Sequence, residues 1–149
     1  MEWIEPKTDW KVEYDENGNY IGDYLNAKDL NRMSNNLNYL IIECMNIYET
    51  NDWLRPGDVF VVIGELLDYN LLSSISYNIQ VINNFVRSVE AKNIIDTRVL
   101  KISKIQTPTW EFYNAVEQIM KLEHEQMIKV MNDKRKLKYQ FGIPNIGGF

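Results

Sequence analysis

The chain has little of what most chemistry needs. Among its 149 residues there is one cysteine, Cys44, and one histidine, His124. A single cysteine excludes an internal disulfide. Cys44 falls on the apolar stripe of a predicted helix and reads as a small buried hydrophobe. Folding in a reducing cytoplasm is expected of such a chain. One histidine is a poor supply of metal ligands. Its neighbours Glu123 and Glu125, with Glu117 seven residues before it, read as a solvated helix surface, and no metal or cofactor is expected. Ser73, Ser74 and Ser76 lie in a predicted amphipathic helix far from His124, so no nucleophile–base pair is in view. Glycine is sparse. Gly64 stands alone and Gly147-Gly148 lies in a tail, so there is no phosphate-cradling loop. No apolar run approaches the roughly 20 residues that span a bilayer. The start, Met1 to Pro6, lacks a basic n-region and an apolar h-region, so no secretory signal is expected. The chain is not expected to be an enzyme.

What the chain does have is a divided charge. The net charge is −5. Residues 1–70 carry 14 acids and 5 bases, a balance of −9, and residues 71–149 carry 7 acids and 11 bases, a balance of +4. Such a division lets identical copies stack head to tail, acidic part against basic part. The compact run Lys134-Arg135-Lys136-Leu137-Lys138 sits at the predicted end of a long helix, where cations complement the macrodipole. In an acidic chain this run does not imply nucleic-acid binding, and none is expected.

The pattern divides the chain into an N-terminal arm or hairpin over residues 1–25, a helical bundle over 26–140 and an extended tail over 141–149. In the arm, Val12 and Tyr14 alternate with charges, Asn17-Gly18 is a hairpin signal and Tyr20-Ile21 follows. The first helix is predicted from about Ala27 to Tyr48, with Leu30, Met33, Leu37, Leu40, Ile41, Cys44 and Ile47 on one face. Its start is well marked. Asn26 and Asp29 form a capping-box-like pair, and Leu25 with Leu30 fit a hydrophobic staple. The second helix is predicted over about Tyr69 to Ala91. Thr107, as cap, and Pro108 open the third, which runs to about Lys138. Tyr113, Val116, Met120, Glu123, Met127, Val130, Lys134 and Leu137 recur there in a heptad-like register, interrupted by Glu123, which suggests pairing with another helix along its length. Val59–Ile63 and Val99–Ile105 read as short strands or extended connections.

An internal echo is visible. Leu30-x-x-Met33-x-x-Asn36-Leu37-x-x-Leu40 matches Leu72-x-x-Ile75-x-x-Asn78-Ile79-x-x-Ile82, and Tyr113-Asn114-x-Val116 resembles both loosely. A tryptophan precedes or opens each helix: Trp10, Trp53 and Trp110. These three are expected to anchor the segments between helices in the core. The aromatics of the termini, Trp3, Tyr14, Tyr20 and Phe149, are expected to anchor on a partner surface.

Two stretches carry a likeness to known proteins. The first is Trp3, Pro6, Lys7, Thr8, Asp9 and Trp10. The second is Asp23, Tyr24, Asn26, Asp29, Leu30, Asn31, Arg32, Asn36 and Leu37. Together they resemble an opening shared by tail-associated virion proteins of phages that infect low-GC Gram-positive hosts. Thr107-Pro108-Thr109-Trp110 with Asn114 is similar to a second motif of those proteins. Met33-Ser34 and Leu25 depart from the pattern, and Lys11 to Gly22 intervenes between its parts. The resemblance implies a structural virion component of the tail tip, baseplate or fibre attachment.

The expected fold is therefore mainly α: a three-helix bundle with a long C-terminal heptad-like helix and a small N-terminal β-hairpin or extended arm. The expected role is protein–protein contact in a phage tail, with partners that are other copies of the chain, as a trimer or higher ring, and other virion proteins. Assembly in the host cytoplasm and residence in the virion follow from that reading. Interface candidates are Trp3, Trp10, Tyr14, Tyr20, Tyr113, Val116, Met120, Met127, Val130 and Phe149. A helical adaptor that binds one cellular protein is the alternative.

Overall fold

A computed structural model describes residues 2–48, 69–86 and 109–141. Within them the chain is mainly helical: α1 spans Ala27–Tyr48, α2 spans Tyr69–Val86 and α3 spans Trp110–Phe141. The three helices pack on one another. The two expected strands at Val59–Ile63 and Val99–Ile105, Trp53, the cap Thr107-Pro108 and the tail with Phe149 lie outside the described residues, as does the expected end of the second helix beyond Val86.

The start of α1 is built as its sequence dictates. The Asp29 amide donates to Asn26 Oδ1, and the Asn26 amide donates back to Asp29 Oδ2, both at 3.3 Å. Two amides that the helix leaves without partners are thereby satisfied. α3 begins at Trp110, with the Thr109 carbonyl accepting from the amides of Phe112 and Tyr113. It ends at Phe141, three residues past the expected Lys138.

The apolar stripes meet in one core. Leu37, Leu40, Ile41 and Cys44 of α1, Ile75, Ile79 and Ile82 of α2, and Val116, Ile119 and Met120 of α3 are all buried within it. Cys44 is the buried hydrophobe its position implies, and burial pushes its thiol up to about 12. Two cross-links set the relation of α1 to α3. Arg32 pairs with Glu117, and Lys134 Nζ donates to the Ile47 carbonyl at 3.2 Å. Each link joins residues nearly equally far apart in sequence, 85 and 87 positions. A constant offset means that α1 and α3 run in the same direction. Rings of Tyr48 and Phe85, 5.8 Å apart, bring the last turns of α1 and α2 together.

The expected β-hairpin is not seen. Among the described residues there is no strand, only one antiparallel bridge between Tyr14 and Tyr20. The turn between them is held by a side chain: Asp15 accepts from the amides of Asn17 and Asn19, and the Gly18 amide donates to the Asp15 carbonyl. Gly18 supplies the left-handed φ of 81°. Tyr20 folds back so that its hydroxyl donates to the Asp23 carbonyl at 2.6 Å. That ring lies where a Cβ on Gly22 would have to go, 2.6 Å from the hydroxyl oxygen. Two short segments with Val12, Tyr14 and Ile21 exposed have no apolar face to bury, so no sheet grows from the bridge.

The core makes a direct test. Ile119→Ala, at a site with no solvent exposure, is expected to lower unfolding free energy by about 2–5 kcal/mol. Ile128→Ala, on the exposed side of α3, is expected to change it by less than about 0.5 kcal/mol. Urea unfolding followed by circular dichroism measures both.

Candidate functional site

The candidate site is the groove between α1 and α3, in which residues 2–10 of the arm lie. An extended segment has unpaired amides and carbonyls, and burying them without partners is costly. Here two asparagine side chains supply the partners. Asn36 of α1 accepts from the Ile4 amide at 3.0 Å and donates to the Ile4 carbonyl at 2.7 Å. Asn114 of α3 does the same for Trp10, at 2.7 and 2.9 Å. Each primary amide imitates the edge of a β-strand from a helix surface. Asn35 adds a third bond, to the Glu2 carbonyl at 2.8 Å.

Between these two clamps sits a charged cluster. Glu117 accepts from the Lys7 backbone amide and from the Arg32 guanidinium, and Arg32 also pairs with Asp29 at 2.8 Å. The Glu117 side chain is almost fully buried. Burial pushes its carboxyl above the ordinary glutamate range, and Arg32 pulls it the other way. Removing either partner of such a pair leaves a desolvated charge, a loss of about 3–5 kcal/mol in comparable sites. The Lys7 ammonium pairs with Asp9 at 2.8 Å and Asp23 at 3.3 Å.

Aromatic rings close both ends of the groove. Trp10 is buried, stacks on Trp110 at 5.0 Å, and lies beneath the Lys7 ammonium and the Arg32 guanidinium. Trp3 stacks on His124 at 4.1 Å, with Tyr39 edge-on to His124 at 5.5 Å. Burial lowers the His124 pKa, so the ring stacks as a neutral imidazole, while nearby Glu125 and Glu5 oppose the shift. Glu5 meets Lys121 at 2.7 Å.

Behind the groove lies Glu123. It has no exposed surface, and among the described residues neither carboxylate oxygen has a hydrogen-bond partner. Burial raises its pKa well above the ordinary value, so the core favours the protonated acid over the carboxylate. The solvated face expected for Glu117 and Glu123 is thus corrected. Both point into the fold because α3 is covered there, Glu117 by the arm and α1, Glu123 by the core. Of the heptad-like positions, Tyr113, Val116, Met120, Glu123 and Met127 are buried, Val130 and Lys134 are half-buried and Leu137 is exposed.

The expected interface residues separate into three groups. Tyr113, Val116, Met120 and Met127 are buried in the chain's own core, and Val130 packs partly buried against it. Trp10 belongs to the same core and Trp3 stacks within its own chain, so both are occupied by the arm's own groove. Tyr14 is exposed and Tyr20 is half-buried, on the turn that projects from the arm. Sequence reasoning did not find the clamp role of Asn36 and Asn114, although the echo in the helices had marked both positions. Among the described residues no group of three or more His, Cys, Asp or Glu could hold a metal ion, and no helix is long and apolar enough to cross a membrane. Comparison with known protein families, curated proteins and solved structures finds no match.

Two outcomes check this geometry. Asn36→Ala with Asn114→Ala removes four bonds to the arm, each worth about 1 kcal/mol net. Trypsin is expected to cut after Lys7 faster in this variant, with helix content unchanged by circular dichroism; equal cleavage would show that the arm is held by other groups. The second outcome concerns pH. Unfolding lets Glu123 ionise near its ordinary pKa, whereas the folded state holds its proton to higher pH. Its share of stability is therefore full below about pH 4.5 and is lost as pH rises toward the folded value, at up to about 1.4 kcal/mol per pH unit. Glu123→Gln is expected to flatten that slope, so that its thermal midpoint exceeds that of the parent chain increasingly toward alkaline pH.

Proposed function

We propose that this chain is a structural subunit of a phage tail, baseplate or fibre-attachment region, working through contacts with its own copies and with other virion proteins. In this reading it performs no reaction, assembles in the host cytoplasm and ends in the virion. The long heptad-like α3 is the spine of a bundle, and copies associate as a trimer or a larger ring. One observation carries the proposal. The residues of the resemblance are scattered from Trp3 to Asn114, yet nine of them do one job. Lys7, Asp9, Trp10, Asp23, Asp29, Arg32, Asn36, Trp110 and Asn114 all seat the arm or neutralise the groove that holds it. A motif devoted to seating an extended segment in a groove fits a part that is built into an assembly.

Light scattering coupled to size-exclusion chromatography tests this. The full-length chain is expected to elute as a persistent trimer or larger ring. A monomer at all concentrations would favour the adaptor alternative and overturn the assembly reading.

A further inference from the structure

The arm runs opposite to α3, since Trp3 lies at His124, Lys7 at Glu117 and Trp10 at Asn114. Its projecting turn, residues 11–24, therefore sits at the end of the molecule where α1 and α3 begin. This turn holds an edge-to-face ladder of Tyr14, Tyr20 and Tyr24, with centroid spacings of 5.4 and 4.9 Å. Tyr14 is 62% and Tyr24 70% exposed, and Val12 and Ile21 beside them are more than half exposed. Four acids against one base, Lys11, give the turn a charge of −3. Four of the nine large hydrophobic residues left exposed among the described residues, Val12, Tyr14, Ile21 and Tyr24, lie in this turn.

The other end of α3 is its complement. Residues 129–136 hold four bases against Asp133, a charge of +3. Arg135 and Lys136 are exposed and make no ion pair among the described residues, and Leu137 beside them is 46% exposed. From Asn114 to Lys136 the helix rises about 33 Å at 1.5 Å per residue. The acidic tyrosine turn and the basic tip are thus at opposite ends of one rod, and no chain can satisfy one with the other. Two unlike, complementary patches on opposite ends describe a head-to-tail contact, which repeats from copy to copy and closes into a ring where the rotation between copies permits it.

We infer that the acidic turn around Tyr14, Tyr20 and Tyr24 of one copy docks on the basic α3 tip around Arg135, Lys136 and Leu137 of the next. This inference rests on the assembly reading above and names the surfaces it uses. Opposite charges steer the encounter, and the tyrosine ladder with Leu137 supplies the apolar centre. Because the charges are exposed, the contact weakens as salt rises.

The test is charge reversal in the full-length chain, with self-association measured by sedimentation velocity and helix content by circular dichroism. Arg135→Glu with Lys136→Glu is expected to weaken self-association at least about tenfold with helix content retained. Glu13→Lys with Glu16→Lys is expected to do the same. Combining all four changes, which restores opposite signs, is expected to recover association. Recovery in the fourfold variant supports the contact. If either reversal leaves association unchanged, or the fourfold variant stays dissociated, the copies meet by other faces and this contact is overturned while the assembly reading stands. A parent chain that is monomeric at every concentration overturns both. A short DNA duplex that binds the basic tip, while reversal there leaves self-association intact, also overturns the contact and assigns the tip to nucleic acid.

Discussion

The pairing of Arg32 with Glu117 across the α1–α3 joint is the interaction on which the rest is arranged. Its charges are out of water, so neither can be left alone, and the fold surrounds them with everything needed to keep them paired. Asp29 takes a second edge of the guanidinium and is itself fixed by the α1 cap. The Lys7 amide takes the second oxygen of Glu117, which pins the arm at its middle. Trp10 covers the guanidinium with an aromatic face. One charge pair thus ties together the helix start, the joint between two helices and the course of the N-terminal segment. A bundle of apolar stripes alone would allow its helices to slide. A paired charge in the joint allows one register.

The interior is polar for its size. Besides Glu123, the side-chain oxygens of Ser34, Asn38, Asn78 and Asn83 and the Trp10 indole nitrogen are buried without a partner among the described residues. Asn38 and Asn78 share a local solution, each donating its amide to the carbonyl of a serine one turn earlier, at 3.0 Å. That use of the amide group leaves the carbonyl oxygen unmatched. Buried acceptors of this kind lower stability relative to an all-apolar core. The core therefore favours one arrangement of its parts at some expense of depth in the folding well.

Much of the fold was legible. The bounds of α1, its reciprocal cap, the apolar stripes and the burial of Cys44 followed from spacing and cap chemistry, which act locally. The projecting turn was legible as a turn but not as a hairpin. Asn17-Gly18 signals a tight reversal, whereas the grip of Asp15 on the amides of Asn17 and Asn19, and the exposure of both flanks, decide that no strands form. The groove was the least legible part. Glu117 and Glu123 look like a solvated face in any helical wheel, because a wheel does not know that a segment from the other end of the chain will cover it. Asn36 and Asn114 were visible as a recurring letter, but an amide that imitates a strand edge has no signature in sequence.

The separation in sequence between the arm and its seat has a bearing on how the protein is made. Asn114, Glu117 and His124 leave the ribosome more than a hundred residues after the tryptophans and lysine they hold. The arm is thus synthesised well before the helix that seats it, and it is among the last segments to be locked. Closure of this groove is a form of proofreading: a chain cut short before α3 would leave Trp3, Lys7 and Trp10 without the His124, Glu117 and Asn114 that hold them.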